Sequence, residues 1–264
     1  MRFCRFFGVA LTAILLSVNF TSCSKSEDNK TSTGGENFAN EKRLVKLVEK
    51  YTLNSTEYEQ TTTFKYDDKK RVIESHEVSK KSNGATSTFD AQYIWGDDVI
   101  QFLAQEISNE GGRDEGPIKY TQELTIKNGL VQSLNDEVVS YNSKGRYNET
   151  VTWDNDKLVY EQTGDIDYRY TYKGVICQKG YFPLWGNLLG GIIEGLFTAH
   201  PELVGIRTQQ LPANAICAKH YIDSSKEGLA TTYEYEFDNE GYITKITIQD
   251  SAEGSVSTYT LTWE

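Results

Sequence analysis

Phe64-Lys65-Tyr66-Asp67-Asp68-Lys69-Lys70-Arg71-Val72-Ile73 reads as two strands and the turn between them. Before the turn, Phe64 and Tyr66 alternate with Lys65, the period of two that sets one face of a strand in a core and the other in water. The turn residues suit a tight reversal, because Asp bonds the backbone that follows it and tolerates left-handed φ. Val72 and Ile73 then restart a β-branched run. The same unit recurs at Tyr93 to Ile100, Ser140 to Tyr147, Thr152 to Val159 and Tyr235 to Ile243. Leu124 to Val131 adds Asn128-Gly129, the pair that most strongly signals a two-residue hairpin.

Outward from these turns the alternation continues, as in Tyr168, Tyr170 and Tyr172 against Arg169 and Thr171. Seventeen tyrosines suit such half-buried strands, since the ring packs inside while the hydroxyl stays at the rim. The pattern predicts an all-β domain over residues 42–264, a curled antiparallel meander or barrel-like sheet of roughly a dozen strands. One segment departs from it. Leu188, Leu189, Ile192, Ile193, Leu196 and Phe197 follow helical spacing. A helical insert is therefore expected near 184–200, ended by His200-Pro201 and packed on the open apolar face of the sheet. Cys177 and Cys217 bracket it. A disulfide between them would close a loop of about 40 residues and stabilise by roughly 4 kcal/mol; two buried thiols are the alternative.

The first residues give an address. Arg2 and Arg5 precede an apolar run from Phe6 to Val18, too short for the roughly 20 residues that span a bilayer. Phe20-Thr21-Ser22-Cys23 follows and resembles the lipobox of bacterial lipoproteins, with Phe20 where leucine is commonest. Residues 1–22 are expected to be a cleaved leader, with Cys23 acylated. Ser24 to Asn40 is polar apart from Phe38 and cannot bury enough surface to offset its ordering entropy. Residues 23–41 thus read as an acylated cysteine and flexible leash, reaching on the order of 20 to 25 Å.

Composition bounds function. Without residues 1–22, Arg2 and Arg5 are lost and no acid is, which leaves 25 of the 27 basic residues against 38 acidic ones. A net charge near −13 disfavours nucleic acid and anionic lipid surfaces, so membrane attachment would rest on the acyl chains. A lipid-spanning barrel needs a charge-free outer face, whereas Glu234 and Glu236 flank Tyr235 and Lys245 flanks Ile246. Nucleophile, zinc-protease and phosphate-loop motifs are missing, and His76, His200 and His220 lack a nucleophile partner in the sequence. Asp97-Asp98, Asp154-Asn155-Asp156 and Asp238-Asn239-Glu240 fall at turns and lack the ligand count of a calcium loop. We therefore expect no enzyme, no catalytic residue, no cofactor and no metal. The candidate ligand-binding residues are Trp185, at the start of the insert, and His200. Trp95, Trp153 and Trp263 belong in the core.

Leader, leash, hairpin repeats and the apolar insert running into Gly205-Ile206-Arg207-Thr208-Gln209-Gln210-Leu211-Pro212 together resemble a family of Bacteroidetes envelope lipoproteins of unknown function described as having a porin-like β fold. That resemblance implies a curled antiparallel sheet at the outer membrane, and transfers no catalytic residue. Ser24-Lys25-Ser26-Glu27-Asp28 is similar to the signals that send such proteins to the cell surface. The expectation is a monomeric, non-catalytic binding module for glycan, protein or small ligand. A structural outer-membrane role or a carboxylate-based hydrolase are the alternatives.

Overall fold

The computed structural model describes residues 42–264, apart from 54, 111–112, 136, 140, 142, 144–150, 155–156, 164–165, 178–193, 205–208, 222 and 252–253. The strands are β1 (Leu44–Leu53), β2 (Thr56–Tyr66), β3 (Val72–Lys81), β4 (Thr86–Trp95), β5 (Val99–Glu110), β6 (Arg113–Lys127), β7 (Leu130–Leu134), β8 (Glu137–Val138), β9 (Val151–Asp154), β10 (Lys157–Thr163), β11 (Ile166–Cys177), β12 (Gln209–His220), β13 (Ala230–Phe237), β14 (Ile243–Asp250) and β15 (Ser255–Trp263). All fifteen form one sheet in the order β8-β7-β6-β5-β4-β3-β2-β1-β15-β14-β13-β12-β11-β10-β9. The sheet is all-β and curled as the alternation predicted, and short pieces such as β7, β8 and β9 raise the strand count above a dozen.

Strand order carries a parity constraint. Each neighbour pair is antiparallel, including β1 with β15, where Leu44 faces Trp263 and Tyr51 faces Ser257. Counting reversals from that junction, β8 and β9 run in the same direction. A plain hairpin therefore cannot join these two edges, and among the described residues the sheet is open between them.

The turns form as their residues dictate. At the β2–β3 reversal Asp67 Oδ1 accepts from the Lys69 and Arg71 amides at 2.9 and 3.0 Å, and Lys70 adopts φ 60°. At the β13–β14 reversal Asp238 Oδ1 accepts from the Glu240 and Tyr242 amides at 2.9 Å each, with Gly241 at φ 89°. The same device thus recurs 171 positions apart, and in both copies a tryptophan one strand further on closes it. The Trp95 indole donates to the Val72 carbonyl and the Trp263 indole to the Ile243 carbonyl, each at 2.7 Å. These carboxylates serve backbone amides, which explains acidic turns without any metal. Asn128 and Gly129 both take positive φ, at 55° and 75°, as a type I′ hairpin requires.

Four reversals, β2–β3, β4–β5, β6–β7 and β13–β14, share one end of the sheet, called lower below. Above them the inward face is filled by Leu44, Leu47, Phe64, Val72, Tyr93, Ile100, Phe102, Leu124, Ile243, Ile246 and Leu261, all in one cluster. The outward face carries cross-strand ion pairs, Lys50–Glu59, Lys65–Glu74 and Lys245–Glu236. Apolar side chains inside and charges outside are the reverse of a lipid-spanning barrel.

Helix α1 (Glu194–Ala199) seals the lower end, and Pro201–Val204 continues as a 3₁₀ turn. The helix begins inside the expected insert and stops at His200-Pro201; residues 184–193 lie outside the described ones. Leu196 and Phe197 are fully buried in the sheet's core cluster. Gly195 permits that approach, because a Cβ there would stand 2.9 Å from the Tyr93 hydroxyl and 3.3 Å from the Ser75 hydroxyl.

The strand register bears on the two readings of the cysteine pair. Cys177 pairs with Gln209 and Cys217 with Tyr168 across β11 and β12, eight residues apart along β12. At strand rise that is on the order of 26 Å, far beyond the roughly 7 Å Cα separation a disulfide tolerates. The two cysteines are not bridged; bracketing the insert in sequence placed them at opposite ends of a strand pair. Cys217 is buried against the sheet.

Candidate functional site

His200 is placed by the end of α1 and is 3% exposed. Its Nε2 accepts the Val72 amide at 2.9 Å, and its Nδ1 lies 2.8 Å from Glu202 Oε1. Because a backbone N–H can only donate, Nε2 carries no proton and Nδ1 donates to the carboxylate. The Trp95 ring meets the imidazole edge-on at 5.3 Å, and Tyr66 does so at 6.1 Å. Arg43, at the foot of β1, reaches Glu202 at 3.7 Å. Both imidazole nitrogens are occupied by the protein, so His200 is a fastening between the insert and the sheet. Its expected role in ligand binding gives way to that one, because its 128-residue separation from Val72 hid the partner.

Burial would push the Glu202 carboxyl up, but the hydrogen bond from His200, with the charge of Arg43, holds it below the usual carboxylate range. A depressed carboxyl stabilises the fold at pH above its unfolded value, and that stability is lost as pH falls through the folded one. Acid unfolding should therefore steepen from about pH 4 downward, and Glu202→Gln should flatten that limb in a pH series of thermal melts.

The upper half of the inward face is different. Along one lateral row of the sheet, Ile246 faces Tyr259, Tyr259 faces Glu49, Glu49 faces Gln60, Gln60 faces Ser79, Ser79 faces Ser87 and Ser87 faces Ser108. The row passes from apolar to polar, and from Gln60 onward its side chains are only half-buried. Small hydroxyls here replace the bulk that fills the lower end, so the polar half stays accessible. Glu49 is 4% exposed and accepts from the Tyr259 hydroxyl at 2.6 Å. On the adjoining row Thr62 donates to Glu77 at 3.4 Å, and Tyr120 donates to Glu106 at 2.9 Å.

Nearer the upper rim, Tyr51 and Tyr58 stack across β1 and β2 with centroids 4.7 Å apart and planes 4° from parallel. Burial above all, then the negative charges of Glu49 and Glu77, push the Tyr51 hydroxyl up to about 12. Both tyrosines also border a hollow of about 510 Å³, but most of its lining, Lys50, Glu57, Glu59, Lys80, Val256 and Thr258, belongs to the outward side of the same strands. That volume falls within the roughly 300 to 1,000 Å³ of ordinary ligand sites.

The inward carboxylates were legible in one respect. In Leu47-Val48-Glu49-Lys50-Tyr51 the acid takes the apolar phase of the alternation, which marks it as inward-facing. Of the expected residues, Trp185 and Cys23 lie outside the described ones, as do the side chains of Trp153, Cys177 and His220. Trp95 and Trp263 pack against the core as expected. His76 sits on the outward face, 2.6 Å from Asp90. Among the described residues no group of three or more His, Cys, Asp or Glu side chains is arranged to hold a metal ion.

Comparison with known proteins gives little beyond shape. The chain is similar to a porin-like protein from Bacteroides uniformis ATCC 8492, at 14% identity and a TM-score of 0.48, over 84% of this chain and 98% of that one. It is also similar to a porin-like protein from Bacteroides vulgatus ATCC 8482, at 11% identity and a TM-score of 0.27, over 85% of this chain and 99% of that one. No protein-family profile and no curated protein matches it.

Proposed function

We propose that this protein is an outer-membrane lipoprotein, cut before Cys23 and held by acyl chains, whose curled sheet is a non-catalytic binding module opening at its upper end. The observation that carries the reading is the division of the inward face. Its lower half is closed by α1 and apolar side chains, while its upper half carries half-buried hydroxyls, an amide and the half-buried carboxylates of Glu77 and Glu106. A fold needing only a core would fill that half with apolar residues, because an unfilled polar interior adds no stability. The lipobox and polar leash supply the anchor, and the acidic surface leaves the acyl chains as the means of attachment.

Two measurements test this. Intact mass of the mature chain should show a diacylglyceryl cysteine at its N-terminus, and Cys23→Ala should move the protein out of the membrane fraction. A metabolite and glycan thermal-shift screen on the purified full chain should find ligands that are bound and returned unchanged. Turnover of a bound ligand would instead favour a carboxylate-based hydrolase, the reading suggested by Glu49 and Glu77 beside the Tyr51 hydroxyl.

A further inference from the structure

We propose that the polar half of the inward face points away from the membrane that anchors the chain, and that it takes a polar ligand from the water beyond and not a lipid from the bilayer. This rests on the reading of the chain as a lipoprotein with a binding module, and fixes which end of that module is approached and by what class of molecule.

The direction follows from where the leash meets the sheet. Residues 23–41 lead into Lys42, whose amide donates to the Tyr242 hydroxyl at 3.0 Å and whose ammonium donates to Glu240 at 2.5 Å. Both partners belong to the β13–β14 reversal, so the tether joins the domain at its lower end. From there β1 climbs ten residues, about 33 Å at strand rise, toward the upper rim. A polar leash of this length reaches on the order of 20 to 25 Å. For the upper end to meet the bilayer, the leash would have to run back along the whole height of the sheet, which exceeds that reach. The lower end is thus held nearer the lipid and the upper end farther from it.

The same geometry bars a lipid. An acyl chain drawn from the bilayer would enter at the lower end, where α1 lies across the sheet with Leu196 and Phe197 fully buried. The helix backbone sits so close there that a Cβ on Gly195 would stand 2.9 Å from the Tyr93 hydroxyl, which leaves no width for a hydrocarbon chain between them. At the upper end the inward row of Gln60, Ser79, Ser87 and Ser108 offers donors and acceptors and little apolar surface. A hydrocarbon tail gains nothing from such a wall, whereas a hydroxylated molecule can exchange hydrogen bonds with it.

Energy transfer on the acylated full chain, in phosphatidylcholine vesicles that carry a headgroup acceptor, tests the direction. Lys69→Cys and Thr86→Cys, each in a Cys177→Ser background, place a donor dye at exposed sites flanking β3 at its lower and upper ends. The buried Cys217 stays unlabelled. Because the two dyes differ in height by about 33 Å, transfer from position 69 should exceed that from position 86 by roughly twofold or more. Equal transfer, or the reverse order, overturns the inference and leaves the anchored binding module standing. A chain that carries no acyl group and does not hold to the vesicles overturns both. In a second arm the Cys23→Ala full chain is mixed with plain phosphatidylcholine vesicles, which are then sedimented. Phosphorus in the supernatant should match a protein-free control, and phospholipid carried off in proportion to the chain would make it a lipid carrier and overturn the inference.

Discussion

Phe197→Ala should lower the unfolding free energy by about 3 to 5 kcal/mol, as large-to-small changes at fully enclosed aromatics do. Phe197 is 1% exposed and belongs to the same cluster as Phe64, Tyr93 and Phe102, although it comes from the insert and they come from strands. If the helix were an appendage resting on a finished sheet, its loss would unfold the insert alone. A helix that completes the core instead couples insert and sheet in one transition. Guanidinium unfolding followed by both near- and far-ultraviolet circular dichroism separates the cases. We expect coincident curves shifted together, and a shift under 1 kcal/mol would show that the sheet closes without α1.

His200→Leu is expected to cost about 3 kcal/mol, with Tm lowered by roughly 6 to 12 °C for a domain of this length. Leucine fills the space but accepts nothing. The Val72 amide, which the sheet leaves to the imidazole, would lose its partner in a dry environment, and Glu202 would keep only Arg43. Removing both dependants should recover part of the loss, so the double variant His200→Leu, Glu202→Gln should be more stable than the sum of its singles. Differential scanning calorimetry of the three variants measures the coupling, and strict additivity would mean that the ring and the carboxylate do not act as a unit.

Local features were readable and distant ones were not. Asp67, Asp238 and Asn128-Gly129 announced their reversals because an Asx side chain and a glycine act within four residues of themselves. The helical stripe through Leu196 and Phe197 was equally local. By contrast, nothing near His200 points to Val72, and nothing near Cys177 says that β12 would start opposite it and carry Cys217 to the far end. Glycine inside a helix costs up to about 1 kcal/mol relative to alanine, and Gly195 stands inside α1. In the fold it is the residue that lets the helix reach the Tyr93 and Ser75 hydroxyls. The polar band was half legible: alternation identifies Glu49 as inward, but which inward residues lie side by side depends on register, which no single strand encodes.

The junction of β1 with β15 bears on how the molecule can assemble. Its contacts join Leu44 to Trp263, nearly the whole domain apart, and they lie in the middle of the sheet. Each half can build hairpins as it emerges, yet the first strand waits for the last before its second ladder exists. Such topology makes completion slow and late. Until that strand arrives, the centre of the future sheet is an unpaired edge, the place where another molecule's strand could add instead.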